Sequence, residues 1–192
     1  MLSGWGGEEL RVTMTLYTDA FLIQGTFRTR QRRLSDILNS ADEEFLVLSD
    51  VVMQGLGPRG DRLSAPNAQV NLAAVLFAVA SESVEAVPEL RTPKVPETTL
   101  ISIPPFSITG RIHLLPGRDV RTALQDLQGR FLPVTDASFW SDSLREAPRN
   151  APMVAVNHAR AQILSPFGDG TTSGSAPDEA AARGTPGTPA PG

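Results

Sequence analysis

Apolar and polar residues alternate along residues 11–18, the first segment of the chain with a clear polarity pattern. Val12, Met14 and Leu16 fall on one side of this alternation, a period of two that is typical of a strand with one buried face. After a short turn, residues 21–28 keep the same period. We therefore predict two adjacent strands, paired with each other.

The period then changes to that of a helix, and it does so at two places in the chain. Apolar residues at i, i+3, i+4 and i+7 form a single stripe in each of two short segments. They are Leu34, Ile37, Leu38 and Ala41 in the first segment, and Val120, Ala123, Leu124 and Leu127 in the second. We predict a short amphipathic helix at each place.

These helices belong to a longer pattern that occurs twice. Residues 21–53 resemble residues 106–139, first at an offset of 85 positions and then, after one inserted residue, at 86. The matched pairs are Phe21/Phe106, Ile23/Ile108, Gly25/Gly110, Leu38/Leu124, Phe45/Phe131, Leu46/Leu132 and Asp50/Asp136. A fixed period of this kind indicates an internal duplication, so we predict two copies of one small unit.

Gly25 and Gly110 interrupt the apolar face of the same strand in each copy. A glycine inside a strand is typical of a sharp bend or of a place where other atoms come close to the backbone. We favour a barrel-like bend or a facing helix over a ligand as the reason.

Each helix is followed by further strand character. Residues 45–48 are apolar on both faces, which predicts a central strand covered on both sides. In the second copy Pro133 indicates an edge or a bulge instead. The Gly/Pro-rich stretch 54–69 and its shorter counterpart 141–152 are predicted as surface loops, which lead into a last strand at 70–80 and at 153–164.

The pattern divides the chain into five parts. They are a flexible N-terminus at 1–10, a first repeat at 11–80, a Pro-containing linker at 81–97, a second repeat at 98–167 and a disordered tail at 168–192. The predicted fold class is α+β and strand-rich, with two tandem strand-strand-helix-strand-strand repeats in a mostly antiparallel sheet or small barrel. Because a unit of this size is marginal alone, we expect the copies to pack together about a pseudo-twofold axis.

The composition excludes several classes of function and says less about the fold. The net charge of −4 gives no general reason to bind nucleic acid, and the absence of cysteine excludes disulfides and thiolate zinc sites. No apolar run reaches the length of about 18 residues that a membrane span needs, and residues 1–11 lack a basic start followed by an apolar core. We expect a cytoplasmic protein that does not enter a membrane.

Two short motifs resemble a bacterial domain family of unknown function. The first is R-L-S-D-x-L-N at 33–39 followed by F-L-x-L-x-D at 45–50, and the second is the V-x-V-N ending at 154–157. The resemblance extends over about residues 11–80 and 98–165. It implies the repeated architecture and a bacterial origin, and it implies no activity, cofactor or catalytic residue.

The charged residues that point most clearly to a ligand are basic. They are Arg28, Arg30, Arg32 and Arg33 before the first helix, and Arg118, with Arg111 and Arg121, near the second. A helix start carries partial positive charge, so arginines there are mildly unfavourable unless they serve a bound anion such as a phosphate. The alternative is a solvated loop whose arginines pair with neighbouring acidic residues.

Catalytic motifs are absent from the sequence. His113 and His158 lie 45 positions apart on different predicted strands, a spacing that is not typical of metal ligands. Asp50 and Asp136 could supply an acid and a base only if the twofold axis brought them together, and the alternative is a role in a turn or an ion pair. We predict no catalytic residue, no metal and no cofactor, and a protein that is not an enzyme.

Two functional hypotheses follow. The first is a non-enzymatic module with an interaction or regulatory role, which binds another protein along the edges of its strands. The second is a binding protein for a small anion or nucleotide at an arginine-lined groove between the repeats. Either is compatible with a homo-oligomer, and neither involves nucleic acid, because aromatic residues make up only 6% of the chain.

Overall fold

A computed structural model gives the fold, and it describes residues 9–40, 44–57, 60–81, 94–117, 119–142, 144 and 146–166. These residues form ten strands and two α-helices, with one 3-10 helix at His158–Arg160. The helices are α1 (Leu34–Asn39) and α2 (Val120–Gln125). The strands are β1 (Leu10–Tyr17), β2 (Phe21–Thr29), β3 (Phe45–Gly55), β4 (Arg62–Asn71), β5 (Phe77–Ala80), β6 (Val95–Ile103), β7 (Phe106–Leu114), β8 (Phe131–Ser141), β9 (Glu146–Asn157) and β10 (Ile163–Pro166).

All ten strands lie in one antiparallel sheet, in the order β10-β6-β7-β8-β9-β5-β1-β2-β3-β4. The strand-rich, mostly antiparallel character predicted from the sequence is confirmed. The sheet is open, with β10 and β4 as its outer strands, so it is not a small barrel. Strands β6–β10 form one half of the sheet and β1–β5 the other, and the halves meet where β5 pairs with β9.

The order of the strands contradicts the predicted twofold relation. A twofold axis between the halves would pair corresponding strands across the junction, β5 with β10 or β4 with β9. The junction instead pairs β5 with β9. These strands are not counterparts, because β5 is the last strand of its half in the chain and β9 is the last but one of the other half. The strand order runs in the same sense in both halves, β5-β1-β2-β3-β4 and β10-β6-β7-β8-β9.

The ladders of the two halves have matching registers. Leu10 pairs with Thr29 as Val95 pairs with Leu114, at an offset of 85 residues. Phe45 pairs with Asn71 as Phe131 pairs with Asn157, at an offset of 86. In the same way the pair Tyr17 and Phe77 of β1 and β5 corresponds to Ser102 and Ile163 of β6 and β10. By register, β4 therefore corresponds to β9 and β5 to β10.

Alternation along the strands builds two apolar cores. The first core contains Val12, Met14, Leu16, Leu34, Ile37, Leu38, Leu46 and Leu48 with their neighbours, and the second contains Ile101, Ile103, Phe106, Ile108, Ile112, Leu132, Val134 and Phe139 with theirs. On β9, Val154 and Val156 belong to the second core, and Ala155 between them belongs to the first. Because neighbouring side chains of a strand point to opposite faces, the two cores lie on opposite faces of the sheet at the junction.

Each core is completed by the other half of the chain. Phe131, at the start of β8, is fully buried in the first core, and Phe77 of β5 is fully buried in the second. Phe77 stacks on Tyr17 with ring centroids 4.2 Å apart and meets Phe106 and Phe139 edge-on. The expectation that the halves pack together is met, although by a shared sheet rather than by a twofold.

Both helices lie where the apolar stripes predict them. Leu34, Ile37 and Leu38 of α1 are buried, while the fourth member of that stripe lies outside the described residues. In α2 only Ala123 is buried, and Val120 is exposed, so the second stripe is covered less completely.

The two predicted surface loops are largely strand. Most of 54–69 belongs to the end of β3 and to β4, and β9 covers 146–152 of the second predicted loop. The described prolines of these segments, Pro66, Pro148 and Pro152, lie where a ladder pair is missing, and the sequence does not reveal such positions. The predicted last strands were also wrong in extent, because 70–80 divides into the end of β4, a turn and β5, and β9 and β10 are separated by the 3-10 helix.

Three smaller predictions also differ from the structure. β8 is central rather than at an edge, and Pro133 is accommodated because the ladder between β7 and β8 ends at Thr135. Phe45 and Val47 are exposed, since β3 lies next to the outer strand and one of its faces is uncovered. β6 begins at Val95, inside the predicted linker, whereas residues 82–93 and the predicted tail lie outside the described residues.

Candidate functional site

The repeated Gly and Asp residues meet at two bulges in the sheet. The ladder between β2 and β3 shifts register around Gly25, and the ladder between β7 and β8 shifts in the same way around Gly110. Asp50 and Asp136 have φ angles of 54° and 50°, in the left-handed region. Both halves therefore contain the same bulge, with a glycine on one strand and a left-handed aspartate on the next.

The glycines are required by the neighbouring strand, not by a ligand or a facing helix. A Cβ added at Gly25 would lie 2.9 Å from Cβ of Leu48. At Gly110 it would lie 2.5 Å from Cγ1 of Val134 and 2.9 Å from the carbonyl oxygen of Thr135. The close approach expected from the sequence is thus a contact between adjacent strands at a bulge.

The aspartates lie opposite prolines. The ladder of β3 and β4 is interrupted where Asp50 faces Pro66, and that of β8 and β9 is interrupted where Asp136 faces Pro152. Proline has no N–H to donate, so a regular pair is not available at this position. Aspartate tolerates the left-handed conformation better than most residues do. This arrangement accounts for both aspartates through the backbone alone.

Polar side chains surround the second bulge. Arg111 donates to Asp136 at 3.3 Å, and Nε2 of His113 lies 2.9 Å from the hydroxyl of Thr135. Asp136 also lines an open depression of about 400 Å³ with Asn150 and three other residues. The ion pair is solvent-exposed, where such pairs contribute little. The other residues that line the depression, Ala137, Ala151 and Pro152, have no titratable side chain.

The other candidate catalytic residues do not form a site together. Nε2 of His158 lies 2.7 Å from the carbonyl oxygen of Gly129, a contact in which the ring donates and holds the loop before β8. Asp50 on β3 and Asp136 on β8 have four strands between them in the sheet, β9, β5, β1 and β2. At about 4.8 Å per strand this is roughly 24 Å along the sheet, so the carboxylates do not form a pair.

The predicted anion site is only partly within the described residues. Arg28 lies near the end of β2, Arg30 follows that strand directly, and Arg32 and Arg33 lie in the segment before α1. All four are exposed, and none forms an ion pair with another residue of the described ranges. Arg118 lies outside those ranges. Arg33 is the N-cap residue of α1 and makes no side-chain capping bond.

The junction of the halves is not a groove. It is a strand ladder with apolar residues on both faces, reinforced by two asparagines. The side chain of Asn39 donates to and accepts from the backbone of Phe131, at 2.8 Å in both directions. Nδ2 of Asn157 donates to the carbonyl oxygens of Leu72 and Val75 at 3.4 and 2.9 Å. No arginine-lined cleft separates the halves among the residues described.

The feature with unused binding capacity is the outer strand β4. The N–H of Leu72 donates to Glu44, so by the alternation of an antiparallel ladder Gln69 directs its N–H and C=O away from β3. Asn71 also directs its N–H away from β3, while its C=O accepts from the N–H of Ala74 at 3.0 Å. Residues 63–71 carry no charge, and most of the strand is exposed. The sequence did not reveal this strand, because Pro66 and the polar residues around it resemble those of a loop.

Within the described residues there is no cluster of three or more side chains that could hold a metal ion. No helix in the same part of the chain has the length and apolar content needed to cross a bilayer. Comparison of the chain with protein-family models, with curated proteins and with solved structures gave no match.

Proposed function

We propose that the protein is a non-enzymatic interaction module, built from two copies of one small domain, that binds another polypeptide along an open edge of its sheet. The observation that carries this proposal is β4, an outer strand of ten residues with outward-directed backbone groups. An exposed strand edge is a template for a further strand, and strand addition is a recurrent mode of protein recognition.

The side chains beside this edge support the same proposal. Phe45, Val47 and Leu63 are large apolar residues that remain exposed on β3 and β4. Strand edges in natural proteins are usually protected by charged residues, especially lysine. The uncharged segment 63–71 lacks that protection. An added strand would satisfy the backbone groups and cover part of the apolar surface.

The duplication is part of the proposal. The two halves share their ladder registers, their bulges and the positions of a glycine, an aspartate and a proline at each bulge. One ancestral unit that was copied in tandem accounts for these coincidences more simply than independent origin does.

The experiment compares two substitutions at Gln69. Gln69→Pro removes one outward N–H without removing a bond to β3, whereas Gln69→Ala keeps the N–H and shortens the side chain. Each full-length variant is used to capture proteins from an extract of the source organism, after thermal unfolding has shown that both fold. We expect the same partners for the original protein and Gln69→Ala, and their loss with Gln69→Pro. Partners that are unaffected by Gln69→Pro would contradict the use of this edge.

An anion site at Arg28, Arg30, Arg32, Arg33 and Arg118 is the second candidate, favoured because the four described arginines are exposed and form no ion pair with another described residue. A thermal-shift screen with phosphate compounds tests it, because a ligand that binds the native state raises the Tm. A shift that persists in Arg32→Ala and Arg33→Ala would place the ligand elsewhere.

A further inference from the structure

The junction inside the chain shows how an edge strand of this sheet is covered. Three pairs join β5 to β9: Phe77 with Val156, Ala78 with Ala155 and Val79 with Val154. At the end of this ladder the N–H of Asn157 donates to the carbonyl oxygen of Leu76 at 2.8 Å. By register β9 corresponds to β4, and β5 corresponds to β10. The two outer strands of the sheet are thus the counterparts of the two strands that already pair with each other.

We propose that a second copy of this chain binds β4 through its own β10, in the arrangement that β9 and β5 have within one chain. This inference rests on the proposed use of the β4 edge and names its partner. Adding 86 to the β5 residue and subtracting 86 from the β9 residue of each internal pair gives the expected intermolecular pairs. They are Val70 with Ile163, Gln69 with Leu164 and Ala68 with Ser165.

Apolar side chains at the outer edges support this assignment. Phe106 and Phe131 pack into the junction and are 3% and 0% exposed, whereas their counterparts Phe21 and Phe45 are 44% and 39% exposed. Phe77 of β5 is 0% exposed, and its counterpart Ile163 of β10 is 55% exposed. The residues that bury apolar surface at the junction have exposed counterparts at the two free ends of the sheet. Docking of a second copy would bury them in the same way.

The hydrogen-bonding groups match as well. Asn157 is buried and binds the carbonyl oxygens of the turn before β5, whereas its counterpart Asn71 is exposed at the end of β4. In a second copy the corresponding turn contains the carbonyl oxygens of His158 and Ala161, which precede β10. We expect Asn71 to donate to this turn.

The sequences of the outer strands permit the pairing. No charged residue occurs at 63–71 or at 161–166, so neither edge carries the charges that usually prevent association. Pro66 corresponds to Pro152, which is part of β9 and does not prevent β9 from pairing with β5. Pro166 corresponds to Ala80, which lies outside the three-pair ladder.

The association should be weaker than the internal junction. Tyr17 and Leu76, which are buried at the junction, correspond to the polar residues Ser102 and Gln162 at the free edge. Arg160, which donates to the carbonyl oxygen of Ala73, corresponds to Ala74 and has no equivalent contact. We therefore expect reversible, concentration-dependent association.

The contact is heterologous, because one copy contributes β4 and the other contributes β10. Each addition leaves one β4 and one β10 unpaired at the ends of the assembly, so growth continues head to tail and does not stop at a dimer. A series of species that lengthens with concentration is the expected behaviour.

Disulfide trapping tests the register, since the chain has no cysteine of its own. Ala68→Cys combined with Ser165→Cys places two thiols opposite each other on one face of the intermolecular ladder, within the range of a disulfide. The matched control combines Gln69→Cys with Ser165→Cys, which places the thiols on opposite faces. Under mild oxidation we expect a ladder of covalent multimers from the first pair and little cross-linking from the control.

Light scattering after size exclusion supplies an independent measurement on the original chain. We expect an average mass that rises with concentration and that returns to the monomer in Gln69→Pro but not in Gln69→Ala.

Three results would each overturn the proposed pairing of β4 with β10 of a second copy. They are equal cross-linking of both cysteine pairs, a cross-link within one chain, and a monomer at every concentration. If the protein is monomeric but binds other proteins in a manner sensitive to Gln69→Pro, only the identity of the partner is wrong. If neither occurs, the proposed function fails as well.

Discussion

At the scale of single residues, the repeated glycine and aspartate have a structural explanation. Gly110 gives β8 the space to approach β7, and Asp136 takes the left-handed conformation where its partner strand has a proline. Gly25 and Asp50 do the same in the first half. The repetition of these residues therefore reflects the geometry of the sheet and does not mark a catalytic pair.

Gly110→Ala should destabilise the protein more than Gly25→Ala. The new methyl group at 110 would contact Val134 and the backbone of Thr135, and backbone cannot move aside as a side chain can. We expect a loss of about 1–3 kcal/mol in the free energy of unfolding, as for overpacked cores, measured by chemical denaturation. Gly57→Ala is the control, because no atom of the described residues other than its chain neighbours lies within 4 Å of the added group. Equal stability of the 57 and 110 variants would show that the bulge adjusts freely.

At the scale of elements, the two short helices are held in different ways. Asp119 caps α2, where its carboxylate accepts from the N–H and the hydroxyl of Thr122 at 3.0 and 2.7 Å. Arg33 occupies the corresponding position of α1 without a capping bond, but α1 buries more of its apolar stripe. The first helix thus depends on packing, and the second depends more on its cap.

Asp119→Ala should lower the Tm in a pH-dependent way. The hydrogen bonds from Thr122 stabilise the ionised carboxylate and lower the pKa of Asp119 below its ordinary value of 3.8. Because the folded-state pKa is the lower one, the stabilisation is complete above pH 3.8 and is lost as the pH falls through the lowered pKa. We expect the difference in Tm between the original protein and Asp119→Ala to be constant near neutral pH and to narrow below pH 3.8. Arg33→Ala, which removes no capping bond, should show no such narrowing in the same thermal melts.

At the scale of the whole molecule, the halves are interdependent. Phe131 from the second half completes the first core, and Phe77 from the first half completes the second. The ladder between β5 and β9 joins the halves, and the side chain of Asn157 at the end of β9 binds the turn before β5. We expect the described residues to unfold as one cooperative unit.

Phe131→Ala should destabilise both halves together. Truncation of a buried phenylalanine typically costs about 3–5 kcal/mol, and here the lost contacts belong to the core of the other half. Hydrogen exchange followed by mass spectrometry should show loss of protection in β1–β3 as well as in β8. Phe45→Ala, at the exposed counterpart, should change stability by about 0.5 kcal/mol or less at low protein concentration. Two separate unfolding transitions, of which Phe131→Ala changes only the one that belongs to the second half, would show that the halves are independent.

Local periodicity determined much of this protein from the sequence. The alternation at Val12, Met14 and Leu16 and the stripe at Leu34, Ile37 and Leu38 placed β1 and α1 correctly, because each pattern follows directly from the geometry of its element. The offset of 85 or 86 residues also anticipated the matching registers. The alternation and the helical stripe depend on residues that are close together in the chain, so the sequence alone reveals them.

Only the tertiary structure decided how the halves meet and which edges stay open. The sequence placed β4 in a loop, because prolines and polar residues are typical of turns and are also tolerated where a ladder pair is missing. It also did not distinguish Phe45 from Phe131, although one is exposed and the other is buried. Identical residues at corresponding positions differ in burial because burial depends on what packs against each face: Phe131 is covered by the core of the other half, whereas Phe45 lies on a face of β3 that nothing covers near the open end of the sheet.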